Sequence, residues 1–336
     1  EMSQSAPNPQ PIFEALQGYV RTEALKAAIE LKLFSAIHSG ASTIEALAEH
    51  CAASPKGIRI LADFLTIQGF LTKVGDAYSL TPVSETFLVE GSPAYMGRAA
   101  NFLLHPMMKS GFDDLAGTVR KGGTQLPAEG SVSPENPVWV DFARGMMPMM
   151  MPQAQAIAAL TAGQGRMKVL DIAAGHGLFG IVVAQHNPQA EIHALDWKPV
   201  LAVAREHAQK FGVGDRWQAI EGSAFTVDYG SDYDLVLVTN FVHHFDIPTN
   251  VSLLKRVRAA LKPEGKMAIL EFAVNDDRLT PLGAGTFAMN MLASTTAGDA
   301  YSYRELESMC REAGFGTVEH HEIPPTPQSV TIASAN

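Results

Sequence analysis

The sequence is poor in cysteine and has no long apolar run. Only two cysteines, Cys51 and Cys310, occur among 336 residues, and their separation suits neither a metal site nor a disulfide framework, which is typical of a reducing compartment. The longest apolar runs are of strand length, far below the ~20 residues that cross a bilayer. The start of the chain also lacks the basic and apolar regions of a secretory signal. We therefore expect a soluble, cytoplasmic protein without a membrane partner.

Positive charge is also in deficit. The chain has 25 Lys and Arg against 35 Asp and Glu, which gives a formal net charge of −10. A nucleic acid would be repelled unless a local basic stripe existed, and the sequence contains none, so we expect no nucleic-acid partner. The composition, 46% hydrophobic and 18% charged, is that of a globular protein. The length favours two domains over one.

Residues 11–100 predict a small, mainly helical domain. Apolar residues recur at helical spacing over 11–37, and two further helix starts follow before the turn Gly75-Asp76, which predicts a β-hairpin. Helices followed by a hairpin form a winged-helix pattern, which raises the possibility of a DNA-binding regulator. Acidic residues outnumber basic ones over 43–90, whereas a recognition helix needs cations. The apolar segment 11–37 is therefore interpreted as a dimer surface.

Residues 101–160 predict a helical linker region. Helix is expected over 96–119, and a Gly-, Pro- and Ser-rich loop is expected over 121–137. A helix with an unusual methionine cluster follows, which includes Phe142, Met146 and Met150. Methionine is adaptable and unbranched, so this cluster either fills a core or forms the wall of a pocket for a flat apolar acceptor.

Residues 161–336 predict the main domain. Strands and helices alternate from Lys168 onward, which favours βαβ units in a doubly wound, mostly parallel, Rossmann-like sheet. Two late segments, Val318–His320 and Ser329–Ile332, could add an antiparallel pair. The predicted fold class is therefore α/β, with a mainly helical winged-helix domain at the N-terminal side.

The ends of the first two strands of this domain carry the first candidate site. Asp171, Gly175 and Gly177 lie on the first strand-to-helix turn, and Asp196 ends the next strand, where a carboxylate can accept both ribose hydroxyls of an adenosine. The glycine spacing also fits a nicotinamide dinucleotide. However, a carboxylate at Asp171 would repel a pyrophosphate and attract the ammonium group of S-adenosylmethionine, which is the cofactor we predict.

Five motifs occur in the order found in one enzyme family. They are Val169–Gly177, Ala194–Asp196, Glu221–Phe225, Phe241–Asp246 and Ala260–Lys266. With them, the chain from Pro11 onward resembles the S-adenosylmethionine-dependent O-methyltransferases of the plant-type, bacterial polyketide and hydroxyindole group. The resemblance implies a class I methyltransferase fold, a homodimer formed through the N-terminal helices, and methyl transfer to a hydroxyl of a small aromatic or polyketide-like acceptor.

The resemblance also implies two sets of site residues. The cofactor-binding set is Asp171, Ala173, Gly175, Gly177, Asp196, Trp197, Ser223, Ala224, Phe225 and Asn240. The acceptor-pocket set is Phe142, Met146, Met150, His244, Met289 and Asn290. In the first set, Ala173 stands where the family usually has a glycine, and Ser223 replaces an acid that meets the adenine amino group. Ser223 can still bond to adenine, and Trp197 or Phe225 can pack on its face.

His243 falls where the family places the histidine that removes the proton of the acceptor hydroxyl. Imidazole suits that task because its ordinary pKa lies near neutrality. Two departures leave other roles open, namely a structural or cofactor-pocket role for His243 or His244, or metal binding. His244 stands where the family has an aspartate, and a later acid is replaced by Ala300 with only Asp299 beside it, so the orienting carboxylates are missing or displaced.

Metal binding is disfavoured because His243, His244 and Asp246 crowd one turn, where adjacent side chains diverge. We therefore predict that no metal is bound. Three other functions compete with O-methyl transfer: a C- or N-methyltransferase or non-methylating enzyme of the same fold, a winged-helix regulator that senses a ligand, and a nicotinamide oxidoreductase.

Overall fold

The computed structural model describes residues 7–336 and separates the chain into two compact units. One unit ends at Ala100, and the other comprises Asn101–Asn336. The start of the chain, on which the absence of a secretory signal was predicted, lies outside the described residues. Within residues 7–336, no helix combines the length and apolar character needed to cross a bilayer. The predicted further division at residue 160 remains a prediction.

The first unit is helical with one hairpin. Its elements are α1 (Gln10–Leu16), α2 (Gly18–Glu30), α3 (Leu33–His38), α4 (Ile44–His50), α5 (Pro55–Ile67), β1 (Leu71–Val74), β2 (Ala77–Leu80) and α6 (Pro82–Phe87). Helices α4 and α5 begin where Thr43 and Ser54 cap free backbone N–H groups. Strands β1 and β2 pair antiparallel, which confirms the predicted hairpin. Phe34, Leu47 and Ile58 are among the buried residues of its core.

The helical segment that follows is more broken than predicted. It contains α7 (Ala99–Leu103), α8 (Pro106–Ser110), α9 (Leu115–Lys121), α10 (Val138–Gly145) and α11 (Met151–Leu160), with 3-10 turns at Pro127–Glu129 and Met147–Met150. The helix predicted over 96–119 is therefore wrong as a single element, because proline disfavours helical geometry in the residue before it and Pro106 starts a new helix. Pro148 and Pro152 divide the methionine-rich helix in the same way.

The sheet of the second unit has seven strands. Its elements are β3 (Met167–Ile172), α12 (Leu178–His186), β4 (Ala190–Asp196), α13 (Lys198–Lys210), β5 (Trp217–Glu221), β6 (Tyr233–Thr239), α14 (Ile247–Ala260), β7 (Leu261–Glu271), α15 (Leu282–Ser294), α16 (Tyr303–Glu312), β8 (Thr317–Glu322) and β9 (Ser329–Ser334). The strand order is β5-β4-β3-β6-β7-β9-β8. Strands β3 to β7 are parallel, and β9 is antiparallel to both β7 and β8. The predicted mostly parallel sheet and its antiparallel pair are confirmed.

The strand order reverses between β3 and β6. From β3 the chain builds outward through β4 and β5, and then returns to β6 on the other side of β3. The loops after β3 and β6 therefore diverge at the carboxyl edge, which opens the crevice where ligands bind in sheets of this kind. Leu170 and Val236 are buried on one face of the sheet, and their neighbours Val169 and Leu235 are buried on the other, so the strands are covered from both faces.

Candidate active site

The loop after β3 is bent by a series of left-handed residues. Ala173, Gly175 and Gly177 have φ values of 51°, 56° and 79°, a region that favours glycine. A glycine, which the resembling family usually has at the position of Ala173, adopts this φ without strain, whereas an alanine there has a strained backbone. Gly177 also caps α12, so the loop presents backbone N–H groups at the start of a helix.

Asp171 lies beneath this loop and is completely buried. Its Oδ2 accepts a hydrogen bond from the Gly180 N–H at 3.3 Å, while its Oδ1 has no partner among the described residues. Burial, reinforced by the nearby Asp196 charge, raises the pKa of this carboxyl to about 7. An unsatisfied buried acceptor is costly, and it suits a bound cation such as the ammonium group of S-adenosylmethionine.

Asp196 ends β4 and is held by two backbone donors. Its Oδ2 accepts from the Gly175 N–H at 2.9 Å, and its Oδ1 accepts from the Trp197 N–H at 2.7 Å. The side chain is half-buried, and burial raises its pKa to about 6. The carboxylate is therefore fixed in direction, and each oxygen keeps acceptor capacity for a ribose hydroxyl.

The residues predicted to contact adenine follow β5, except for Trp197, which follows β4. Ser223 is half-buried, and its Oγ accepts from the Phe225 N–H at 3.2 Å, which leaves its O–H free to donate. Ala224 is buried in the core. Phe225 packs edge-to-face on Phe245, with ring centroids 4.9 Å apart, and Trp197 is half-buried beside Val200.

His243 lies on the 3-10 turn after β6 and is bound to a buried carboxylate. Its Nδ1 is 2.7 Å from Glu271 Oε2, and its backbone N–H donates to Glu271 Oε1 at 3.0 Å. Both side chains are almost fully buried, with 5% and 6% of their surface exposed. Glu271 therefore fixes both the ring and the backbone of His243, and it favours the tautomer in which Nδ1 carries the proton.

Glu271 was missed by the sequence analysis, which left the orienting carboxylate missing or displaced. The only signal was an acid at the end of the buried run Met267–Leu270 of β7. Strand β7 lies beside β6 in parallel, so the carboxyl end of one reaches the turn that follows the other. Asp299 has a different role: its backbone N–H donates to the His243 carbonyl at 3.0 Å, and its carboxylate accepts from Ala300.

His244 is a second buried histidine with a different environment. Burial and the neighbouring His243 hold its pKa well below the ordinary value, and the hydrogen bond to the Asn240 backbone offsets only part of this effect. Its ring lies edge-to-face on Trp139, 5.2 Å between centroids, and its Nδ1 has no partner in the described part of the chain. His244 is therefore a neutral side chain of the pocket wall, not an anion like the aspartate it replaces.

The predicted acceptor pocket is partly assembled. Phe142 stacks on His176 at 5.6 Å and is close enough to Gly175 that a Cβ there would lie 3.0 Å from its ring. Met146 and Met150 are buried. Met289 and Asn290 instead lie on the exposed side of α15 in the single chain. From that helix it is Phe287, missed by the sequence analysis, that contacts His243 edge-to-face at 4.8 Å.

Residues 7–336 contain no group of three or more His, Cys, Asp and Glu side chains arranged to hold a metal ion. His243 bonds to Glu271, whereas His244 Nδ1 has no partner among the described residues. The two rings are tilted by 59°, and their centroids are 4.4 Å apart. The buried pair of His243 and Glu271 lies at the carboxyl edge of the sheet, where the crevice opens.

Comparison with known proteins identifies the family. The signature of an O-methyltransferase domain matches residues 105–316, and that of an O-methyltransferase dimerisation domain matches residues 13–90. The chain is 26% identical over 316 residues to 3-hydroxy-5-methyl-1-naphthoate 3-O-methyltransferase of Streptomyces sahachiroi, covering 92% of this chain and 90% of that protein. It is also 26% identical over 328 residues to acetylserotonin O-methyltransferase of Mus musculus, covering 90% and 83%.

Solved structures share the whole fold. A candidate O-methyltransferase from Nostoc punctiforme is 49% identical, with a TM-score of 0.94 over 98% of this chain and 99% of that chain. Human N-acetylserotonin methyltransferase, solved with S-adenosylmethionine, has a TM-score of 0.85 at 21% identity, covering 99% of each chain. The fold is that of a class I methyltransferase. The alternatives of a C- or N-methyltransferase or non-methylating enzyme of this fold, and of a ligand-sensing regulator, are not favoured. The chain belongs to the O-methyltransferase family and transfers a methyl group from S-adenosylmethionine to a hydroxyl.

Proposed function

We propose that this enzyme methylates a hydroxyl of a small aromatic or polyketide-like acceptor, with His243 as the general base and Glu271 as the residue that orients it. The observation that carries the proposal is the buried contact between these two side chains, 2.7 Å from Nδ1 to Oε2. The acceptor class is supported by the names of the relatives, which include a naphthoate and an acetylserotonin O-methyltransferase.

The cofactor fits the residues present at the crevice. Asp196 would hold the ribose hydroxyls, the loop from Ala173 to Gly177 would hold the methionine part, and the unpartnered Asp171 Oδ1 would face the positive ammonium side. Ser223 would donate to adenine between Trp197 and Phe225. When bound, S-adenosylmethionine supplies an electrophilic methyl group on a positively charged sulfur.

The His243–Glu271 pair performs the proton transfer. Since the Nδ1 proton is donated to Glu271, the lone pair of His243 is on Nε2, which can take the proton of an acceptor hydroxyl as the hydroxyl oxygen is methylated. Burial of the pair keeps competing water away, and the carboxylate stabilises the imidazolium that forms. A phenol with an ordinary pKa of about 10 becomes a good nucleophile by this route.

Aromatic side chains form the walls around the base. Trp139 packs on His244, Phe142 packs on His176, and Phe287 packs on His243 while stacking on Phe272 at 3.9 Å. Burial also keeps the pKa of His176 low, at about 3, so this ring is neutral. Neutral aromatic walls suit a flat apolar acceptor and do not repel a sulfonium cation.

We also propose that the enzyme is a cytoplasmic homodimer that binds neither nucleic acid nor membrane. The dimerisation-domain match and the apolar side chains exposed on α1 and α2 support the dimer. Ile12, Leu16 and Tyr19 are 65%, 68% and 70% exposed in the single chain, and such a patch is costly in water. The cysteine usage and net charge of −10 support the remaining points.

The test is a comparison of acceptors and variants. The wild-type protein is incubated with S-adenosylmethionine and matched hydroxy-, amino- and unsubstituted naphthalenes and indoles, and the products are identified by mass and NMR. O-methylation of hydroxyl compounds, reduced at least 100-fold in turnover by His243→Ala and by Glu271→Gln at unchanged S-adenosylhomocysteine affinity, is expected. Unchanged turnover in His243→Ala, or methylation of carbon or nitrogen alone, would contradict the proposal.

A further inference from the structure

Three amide side chains from distant parts of the second unit form one hydrogen-bonded chain. Gln153 Nε2 on α11 donates to Gln328 Oε1 at 3.1 Å, and Gln328 Nε2 donates to Asn240 Oδ1 at 2.6 Å. Gln153 and Gln328 are only 5% and 3% exposed. Buried amides are costly unless they are bonded, so this arrangement holds Asn240 in one orientation against a well-defined partner.

The orientation of the three hydrogen-bonded amides follows from the contacts of Asn240 at one end and Gln153 at the other. Asn240 Nδ2 donates to Met150 Sδ at 3.9 Å, and a thioether sulfur accepts but cannot donate. Rotating the amide would place Asn240 Oδ1 against that sulfur. At the other end, Gln153 Oε1 has no partner among the described residues. If all three amides were rotated, the Gln153 NH2 group would take that place, and two hydrogen-bond donors would lack a partner instead of one acceptor. Gln328 therefore directs the Asn240 NH2 group toward Met150.

Asn240, which the resemblance assigns to the cofactor-binding set, is rigidly placed on the loop that carries the base. It follows β6 with a φ of 51°, its backbone N–H donates to the Leu270 carbonyl at 3.0 Å, and its backbone bonds to the His244 ring. It lies on the same loop as His243 and is half-buried. One Nδ2 hydrogen is used only for the weak contact with sulfur, so Asn240 offers a strong donor, and no acceptor, to a ligand.

We propose that Gln328, held by Gln153, is a positioning residue that sets Asn240 to select acceptors with a hydrogen-bond-accepting oxygen near the hydroxyl that is methylated. This inference rests on the proposed function and adds a carbonyl-type oxygen to the acceptor class. A ligand with an N–H donor at that place would leave two donors facing each other in a buried site, which loses binding.

The test uses neutral ligands, so that charge plays no part. Naphthols that carry one acetyl group at each ring position in turn are compared with the matched aminonaphthols and the plain naphthols. Dissociation constants are measured calorimetrically on full-length protein saturated with S-adenosylhomocysteine, and turnover is measured with S-adenosylmethionine. In the wild-type protein we expect one ring position where acetyl improves binding about tenfold over amino, the size of one hydrogen bond.

The decisive variant is Gln328→Glu. When ionised, the new carboxylate accepts from Gln153 but cannot donate to Asn240, so the Asn240 amide must rotate and present Oδ1 instead of Nδ2. Because burial raises the pKa of a carboxyl group, the variant is measured from pH 7 to pH 9. We expect the preference at that ring position to reverse by about tenfold in favour of amino when the protein is kept saturated with S-adenosylhomocysteine. Gln328→Met, which frees the amide, should abolish the preference. Gln155→Glu, an exposed glutamine on the same helix as Gln153, is the matched control and should leave it unchanged.

The outcomes separate this inference from the proposed function. If naphthols bind and are O-methylated but acetyl confers no advantage at any position, or if the advantage survives both Gln328 variants, the amide chain is only structural and the inference is overturned. If no naphthol binds or is methylated, the proposed acceptor class fails and the inference fails with it. Reversal in Gln328→Glu is a result that general destabilisation of the fold cannot produce.

Discussion

Replacing Asp171 by asparagine should raise the stability of the ligand-free enzyme relative to the wild-type protein progressively as the pH rises from 5 to 8. The pKa of this buried carboxyl is raised to about 7 in the folded protein from an ordinary value of 3.8. Between these two values the folded state retains a proton that the unfolded state has released. The free energy of unfolding therefore falls with rising pH across this window, and the loss is complete above pH 7.

The size of the effect follows from the width of the window. A difference of about three pKa units corresponds to about 4 kcal/mol at 1.36 kcal/mol per unit. Between pH 5 and pH 8, two of those units are crossed, which gives about 3 kcal/mol. An asparagine side chain does not titrate in this range, so the stability difference between Asp171→Asn and wild-type protein should grow by that amount between the two pH values.

The assay is urea denaturation of both proteins at pH 5, 6, 7 and 8 without cofactor. The asparagine still accepts from the Gly180 N–H, and the cost of its new NH2 group does not vary with pH, so only the change with pH is interpreted. Asp114→Asn is the control: this exposed helix cap has a lowered pKa and is ionised throughout the range. A stability difference for Asp171→Asn that stays constant from pH 5 to pH 8 would refute the reasoning.

Three further predictions concern the cofactor, the base and the assembly. Asp196→Ala removes the carboxylate placed for the ribose and should weaken S-adenosylmethionine binding about 100-fold by calorimetry; undiminished binding would exclude that role. Gly298→Ala would put a Cβ 2.3 Å from the His243 carbonyl oxygen, so we expect turnover to fall at least tenfold while S-adenosylhomocysteine affinity stays the same, and equal turnover would show that the base tolerates displacement. Leu16→Glu should convert the dimer to monomer in sedimentation velocity, whereas Val119→Glu, 57% exposed in the other unit, should not.

The sheet could be predicted from the sequence because its strands are buried on both faces. Runs such as Val169–Ile172 and Leu235–Thr239 are almost continuously apolar, and each is followed by a helical pattern. Strand β6 begins at Tyr233, two residues before the apolar run Leu235–Thr239. The single helix expected over 96–119 was wrong because the apolar spacing continues across Pro106, whereas the proline prevents the helical backbone from continuing through the residue before it.

The sequence predicts those residues of the candidate site that directly follow or end an apolar strand. Asp196 and His243 follow apolar strands, so the local sequence places them at the carboxyl edge. Glu271 binds His243 only because β7 lies beside β6, and no local pattern encodes which strand ends meet. The amide chain is still less visible, since its members lie 175 and 88 positions apart.

The methionine cluster shows a further limit of sequence reasoning. Helical spacing alone left core filling and pocket lining open for these residues. The structure buries both Met146 and Met150, and it places the Met150 sulfur against the Asn240 amide. Side-chain contacts of this kind depend on the breaks at Pro148 and Pro152, which set the path of the chain.

The most direct test of the account is a crystal structure of the enzyme with S-adenosylhomocysteine and a hydroxyl acceptor that it methylates. The account predicts the acceptor oxygen within hydrogen-bond reach of His243 Nε2, at about 2.6–3.2 Å, with Glu271 still bound to Nδ1 and the ribose on Asp196. An acceptor oxygen that lies away from His243, or a His243 ring that has left Glu271 to bind the cofactor, would contradict it.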